Sequence, residues 1–400
     1  MSLAARLKNL GTETAFAVGA EAGQLAKQGK KIYPFHLGDI NLKTPQNIID
    51  AANKAMNEGK TGYCPTAGIS DLRDALAEDI GKARNINYTA ENVSVQPGGK
   101  PLIGKFVQVV MNEGEEVLYP NPGYPIYESQ IKYFGGIAKP YRFIETDKGF
   151  SIDMEYLKKS ITSKTRALIY NNYHNPLGSS STVEEMRDLA EICIKHNLYV
   201  LSDEAYFDIL YGSKGSSIAS MPGMEKRTVI LYTFSKKYAM TGWRLGAGIG
   251  PVELIDYINK LNLNAESCTT QFIQWAGVEA LTGLQDESIK ILSVLKDRLD
   301  TAFDAVCAIP GMKLYKPDCT FYLFPNVTEA MKLMNVKTVE EFRKIVLKET
   351  GVSFTTRNHF GTPYDGETEQ YIRLAYSGID SDQIKEGLGL MKEFLEDFVR

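Results

Sequence analysis

Between about residues 45 and 290, short β-branched apolar runs alternate with amphipathic stretches, the rhythm of a parallel sheet covered by helices on both faces. No other feature narrows the fold as far, because each parallel pair needs a long crossover and the crossover helices bury the sheet. The strand candidates are Val93 to Gln96, Glu116 to Tyr119, Arg166 to Tyr170, Tyr199 to Ser202, Thr228 to Tyr232 and Arg244 to Ile249. The clearest helix, Val183 to His196, opens with Thr182 and Glu185 in capping-box spacing, and Met186, Leu189, Ala190, Cys193 and Ile194 form one apolar stripe. The predicted class is α/β with a mostly parallel central sheet. Past about residue 285 the rhythm changes. A long amphipathic stretch, Glu287 to Val306, leads into Lys313-Leu-Tyr and Thr320-Phe-Tyr-Leu-Phe, then further helices and a last strand at Tyr371 to Tyr376. That change predicts a smaller α+β domain, and 400 residues exceed what one core usually supports.

The net charge of -4 offers no basic field, so no nucleic-acid partner is expected. Nowhere do 18 apolar residues run together, and Met1 to Leu10 are too weakly apolar for a signal peptide, so the expectation is a cytoplasmic protein without a membrane partner. Cys64, Cys193, Cys268, Cys307 and Cys319 lack C-x-x-C spacing, and His36, His174, His196 and His359 are scattered, so no metal is assigned.

In an open α/β sheet, ligands gather where strands end at their carboxyl side. Thr233-Phe-Ser-Lys-Lys-Tyr-Ala-Met-Thr-Gly-Trp-Arg244 places a lysine amine, two hydroxyls and an arginine where one phosphorylated aldehyde can touch them all, and reads as an anchor for pyridoxal 5'-phosphate. Lys236 would form the Schiff base, Arg244 would take two phosphate oxygens with its planar fork from the start of a strand, and Thr233 and Ser235 would add hydroxyl donors. Asp203 ends the strand Tyr199-Val-Leu-Ser. A carboxylate there can face the pyridine nitrogen and keep it protonated as an electron sink, although an acid at a strand end is also an ordinary helix cap. Tyr206 can donate to the phenolic oxygen of the ring. Gln96-Pro-Gly-Gly-Lys100 follows a strand and precedes an apolar stretch, so the amides of Gly99 and Lys100 would open a helix towards an anion.

The lysine run resembles the S-x-S-K-x-x-x-M-T-G-W-R segment of the class I aminotransferases, fold type I pyridoxal phosphate enzymes. Ser202-Asp-Glu-Ala-Tyr206 and Tyr371-Ile-Arg-Leu-Ala-Tyr376 extend the likeness over residues 30 to 380. In that register Lys236 is the anchor and Lys237 a bystander. The resemblance implies that Asn175 reaches the phenolic oxygen and the substrate, that Tyr124 stacks on the ring, and that Arg373 binds the substrate α-carboxylate with the amide of Gly38 nearby. It implies that Tyr63 reaches the phosphate of a neighbouring subunit, making a homodimer with shared active sites. It also implies a large domain over 41–290 and a discontinuous small domain of 1–40 and 291–400. The activity implied is a ping-pong transfer of an amino group from an amino acid, acidic or aromatic with aspartate favoured, to a 2-oxo acid such as 2-oxoglutarate. Lys100 is a candidate for a side-chain carboxylate or for the phosphate.

A C–S lyase or another fold type I reaction is the alternative on the same scaffold. A regulator with a DNA-binding helix-turn-helix is disfavoured because no basic recognition helix precedes the sheet pattern. Leu245-Gly-Ala-Gly-Ile-Gly250 lacks the G-x-G-x-x-G turn of a dinucleotide loop, and its glycines are expected to let the strand pack closely.

Overall fold

The computed structural model describes residues 3–11, 14–212 and 214–399. Seven strands form the main sheet: β1 (Val93–Gln96), β2 (Glu116–Pro120), β3 (Ile137–Tyr141), β4 (Thr165–Tyr170), β5 (Tyr199–Asp203), β6 (Thr228–Thr233) and β7 (Gly246–Ile249), in spatial order β1-β7-β6-β5-β4-β2-β3. Every neighbouring pair is parallel except those made by β7, which runs antiparallel to both β1 and β6. Both faces are covered. Along β6, Val229 and Leu231 pack on one side with Leu102, Phe106 and Ile255, while Ile230 and Tyr232 pack on the other with Leu72 and Ala276. A strand buried on both faces has no polar alternation, which is why its run reads as unbroken hydrophobes.

Three expectations need correction. The strand predicted from Arg244 begins at Gly246. Arg244 itself caps the short turn Thr241–Trp243 in the left-handed region at φ 57, so its side chain leaves a turn rather than a sheet. The helix predicted to His196 spans Val183–Lys195 and is capped by Thr182, whose hydroxyl accepts from the Glu185 amide at 3.1 Å. The reciprocal half of the capping box is absent, because the Glu185 carboxylate instead accepts from the Ile152 amide at 2.5 Å. Ile194 stands outside the buried stripe, exposed, while Ile192 is buried.

The C-terminal part carries the long helices Asp286–Cys307 and Ser381–Glu396 and a three-stranded antiparallel sheet of β8 (Tyr322–Leu323), β9 (Thr355–Thr356) and β10 (Ile372–Ala375), ordered β8-β10-β9. Tyr33–Pro34 pairs in parallel with Val352–Ser353, and Tyr33 and Phe35 share one apolar cluster with Leu295, Leu374 and Leu388. Among the described residues, no helix is long and apolar enough to cross a membrane.

Candidate active site

The carboxyl ends of β1, β4, β5 and β6 open into one cavity of about 640 Å³, and β10 closes its far wall with Arg373. Every sequence candidate except Tyr63 lines it: Gly38, Gly99, Lys100, Tyr124, Asn175, Asp203, Tyr206, Thr233, Ser235, Lys236, Arg244 and Arg373. Tyr63 is 90% exposed and lies outside it. Lys237 faces Asp208 at 3.7 Å and does not line the cavity, so of the two adjacent lysines only Lys236 enters it.

The floor is acidic. Asp203 is buried, and its Oδ2 accepts from the Tyr127 hydroxyl at 2.6 Å while Oδ1 accepts from the Ala205 amide at 3.2 Å. Burial pushes its carboxyl above the ordinary range, against the pull of those two donors. Lys236 Nζ donates to the Gly38 carbonyl at 2.9 Å. Across from it, the Tyr206 hydroxyl shares a 2.7 Å hydrogen bond with the Tyr322 hydroxyl, and burial holds Tyr206 well above the usual phenol range, so it keeps its proton at working pH. Gly38 is required by that pair: a Cβ there would stand 2.2 Å from the Tyr322 oxygen.

The anion end is built from backbone. The helix Lys100–Val110 starts at its N-cap Gly99, with Pro101 in its first turn, so free amides and the helix dipole point into the cavity. Gly98 has φ +93, and a Cβ on it would meet the Arg244 guanidinium at 2.2 Å. Arg244 therefore folds back over the loop, with NH1 donating to the Thr241 carbonyl at 2.7 Å. The Thr233 and Ser235 hydroxyls lie 2.9 Å apart beside it.

At the other end, Arg373 is 4% exposed and lies between two ring faces, Tyr322 at 4.4 Å and Phe360 at 4.7 Å. Its NH1 donates to Asn175 Oδ1 at 3.0 Å and NH2 to the His36 carbonyl at 2.8 Å. The Asn175 amide is held in turn by Asn171 Oδ1 at 3.1 Å.

Sequence reasoning missed Tyr127, Asn171, Tyr322, His359 and Phe360, which all line the cavity. Tyr127 carried a signal: it lies in the first turn of the helix Ile126–Tyr133, close after Tyr124. Tyr322 read only as a core position because Thr320-Phe-Tyr-Leu-Phe is apolar throughout.

These groups fit pyridoxal 5'-phosphate. Glycines whose Cβ atoms would fill the cradle, a helix N-terminus, two hydroxyls and a guanidinium suit the phosphate, a buried carboxylate suits a protonated ring nitrogen, and the Lys236 amine suits an aldehyde. Residues 31–389 match the family model for aminotransferase class I and II. An aspartate aminotransferase of Bacillus subtilis (strain 168) is 34% identical over 398 residues, 99% of each chain. An asparagine–oxo-acid transaminase of Streptococcus mutans is 30% identical, covering 98% of this chain and 99% of that protein. Among solved structures, the aspartate aminotransferase from Thermus thermophilus with maleate superposes with a TM-score of 0.89 at 27% identity, covering 98% of this chain and 99% of that one. With matching sequence, fold and cofactor pocket over nearly its whole length, the chain belongs to the class I and II aminotransferases.

Proposed function

We propose that this pyridoxal phosphate-dependent aminotransferase uses aspartate as amino donor and 2-oxoglutarate or a similar 2-oxo acid as acceptor, each entering the same cavity in turn. The observation that carries the reading is the convergence of Lys236, Asp203 and Arg373 on one cavity. When bound, the cofactor supplies an aldehyde that takes the amino group and a ring that spreads the electrons released at Cα. Lys236 would anchor it through its amine and, with that amine free, would carry the Cα proton as base and then acid. Asp203 keeps the ring nitrogen protonated. Tyr206 donates at the phenolic oxygen, and Asn175 reaches the same atom. Arg373 grips the substrate α-carboxylate in its fork beside Gly38 and Asn175, which fixes Cα next to Lys236. Tyr124 would stack on the ring, and Gly99, Thr233, Ser235 and Arg244 would hold the phosphate.

Lys100 lies with Nζ 5.7 Å from the Tyr124 ring centre at the cavity mouth, and there we assign it the second carboxylate of the acidic donor. The aspartate aminotransferase names of the relatives favour the same donor. Residues 41–290 are taken as the large domain and 1–40 with 291–400 as the small one. The exposed Tyr63 is taken to reach the phosphate of a second copy in a cytoplasmic homodimer.

Lys236→Ala should lose far more than the about 10²- to 10⁴-fold typical of a positioned acid–base group, since anchor and base vanish together. Near-normal turnover of that variant would sink the assignment. Lys100→Ala should raise the KM for aspartate while leaving alanine unchanged, and equal effects on both donors would refute the acidic pocket. Ammonia release without a 2-oxo acid acceptor would mark a lyase instead.

A further inference from the structure

A second cavity of about 350 Å³ lies between the hairpin Phe143–Thr146 and Gly149–Ile152 on one side and the segment 357–371 on the other, and none of its lining residues lines the catalytic cavity. Its volume is within the range of small-molecule sites. The inner wall is aromatic. Phe324 and Tyr371 stack in parallel at 5.1 Å, and Phe150 meets both edge-on at 5.9 and 5.7 Å.

In the polar lining, carboxylates outnumber cations. Four carboxylates, Glu145, Asp365, Glu367 and Glu369, face two guanidiniums, Arg142 and Arg357. Arg357 is spent on Glu367, at 2.7 and 3.1 Å, and on the Gly361 carbonyl at 3.0 Å, and Arg142 gives its Nε to Asp153 at 2.9 Å. Asn121, 3% exposed, also lines the cavity. Its Nδ2 donates to the Thr362 carbonyl at 2.8 Å, which leaves Oδ1 as a buried acceptor without a partner among the described residues. Glu145 is paired with Lys313 at 2.7 Å and accepts from the Tyr315 and Tyr371 hydroxyls, which leaves Asp365 and Glu369 as the lining carboxylates without a cationic partner among the described residues. Ring faces and such carboxylates both attract cations, and they repel the anionic 2-oxo acids of the reaction.

We propose that this cavity binds a small aromatic ammonium, its ring against Phe150, Phe324 and Tyr371 and its charge towards the carboxylates. The site has a built-in route to catalysis. Leu177 in its wall is two residues past Asn175, Tyr371 is two residues before Arg373, and Asn175 and Arg373 are bonded to each other at 3.0 Å. An occupant therefore presses on both chain segments that place the groups assigned to the substrate carboxylate, and should alter the KM for the amino donor.

Calorimetric titration of the holoenzyme with benzyltrimethylammonium tests this, because a quaternary ammonium has no N–H with which to condense with an aldehyde. The expected result is one saturable site per chain, with benzyl alcohol, the same ring without the charge, bound at least about tenfold more weakly. Asp365→Lys, on an exposed residue, should weaken binding about fivefold. Thr368→Trp at the exposed rim should abolish it, and both variants should keep their basal turnover. The proposal is overturned if the quaternary ammonium does not bind, if the alcohol binds equally, or if neither variant changes the affinity.

Discussion

Replacing Gly246 with alanine tests how the cofactor cradle is held. At the start of β7, the new Cβ would stand 2.8 Å from each of three backbone atoms, Gly98 C, Gly99 N and Tyr232 O. Carbon contacts settle near about 3.5 Å, so the backbones must part by roughly 0.7 Å, and no side chain is present to rotate away. Overpacking of this kind costs about 1 to 3 kcal/mol. The stiffer unfolded chain returns about 0.4 to 1 kcal/mol. The net loss should be about 1 to 2 kcal/mol, read as a lowered urea midpoint of the apoenzyme. The same displacement moves the amide of Gly99, the helix N-cap that we assign to the phosphate. Losing one hydrogen bond to a charged group costs about 1.5 to 3 kcal/mol, or about ten- to a hundredfold in cofactor affinity, measurable by equilibrium dialysis. Gly389→Ala is the control, with open space around its Cβ in the interior of the helix Ser381–Glu396. It should stabilise by about 0.5 to 1 kcal/mol and leave the cofactor untouched. A Gly246→Ala enzyme that melts at the wild-type midpoint and keeps its cofactor as tightly would refute the close-packing argument.

Two further perturbations probe the buried polar groups. Burial, with Arg373 and Arg343 nearby, lowers His36 to about 4, and burial lowers His174 to about 3. The unfolded chain therefore takes up these protons first as pH falls, and stability should drop progressively below pH 6.5, by about 3 kcal/mol for His36 once pH 4 is passed. His36→Asn should flatten that part of the pH–stability curve, and an unchanged slope would show that His36 is not its source. Arg84 and Glu204 form a fully buried pair at 2.7 Å just behind Asp203, with Glu204 also held by the Ser202 and Ser217 hydroxyls. Arg84→Met should cost about 3 to 5 kcal/mol, whereas Lys54→Met, in a surface pair at 3.9 Å, should leave the unfolding midpoint where it is.

The sheet was legible where strands are buried on both faces, because burial leaves a nearly unbroken apolar run such as Thr228 to Tyr232. β3 escaped notice. Its sequence Ile137-Ala-Lys-Pro-Tyr141 carries a lysine and a proline, which an edge strand tolerates and a central strand does not. The cavity residues readable in advance were those whose chemistry is rare at strand ends, such as Lys236 and Asp203. Of those that hold them in place, Tyr127 under Asp203 is marked only by standing close after Tyr124, and Tyr322 against Tyr206 is an ordinary core tyrosine in sequence; each acquires its role when the chain brings distant segments together. Arg244 was found in the right segment with the wrong backbone, since nothing in Trp-Arg-Leu announces a left-handed residue.

The insertion of β7 between β1 and β6 has a consequence for biosynthesis. Gln96 and Gly246 are partners across that sheet. At ribosomal speeds of about 5 to 20 residues per second, the roughly 150 residues between them take about 8 to 30 s to appear. Throughout that interval the nascent loop after β1 has no neighbouring strand, and Lys236 and Arg244 are made only in its last stretch. The groups assigned to the cofactor therefore come together only in chains whose central sheet is finished.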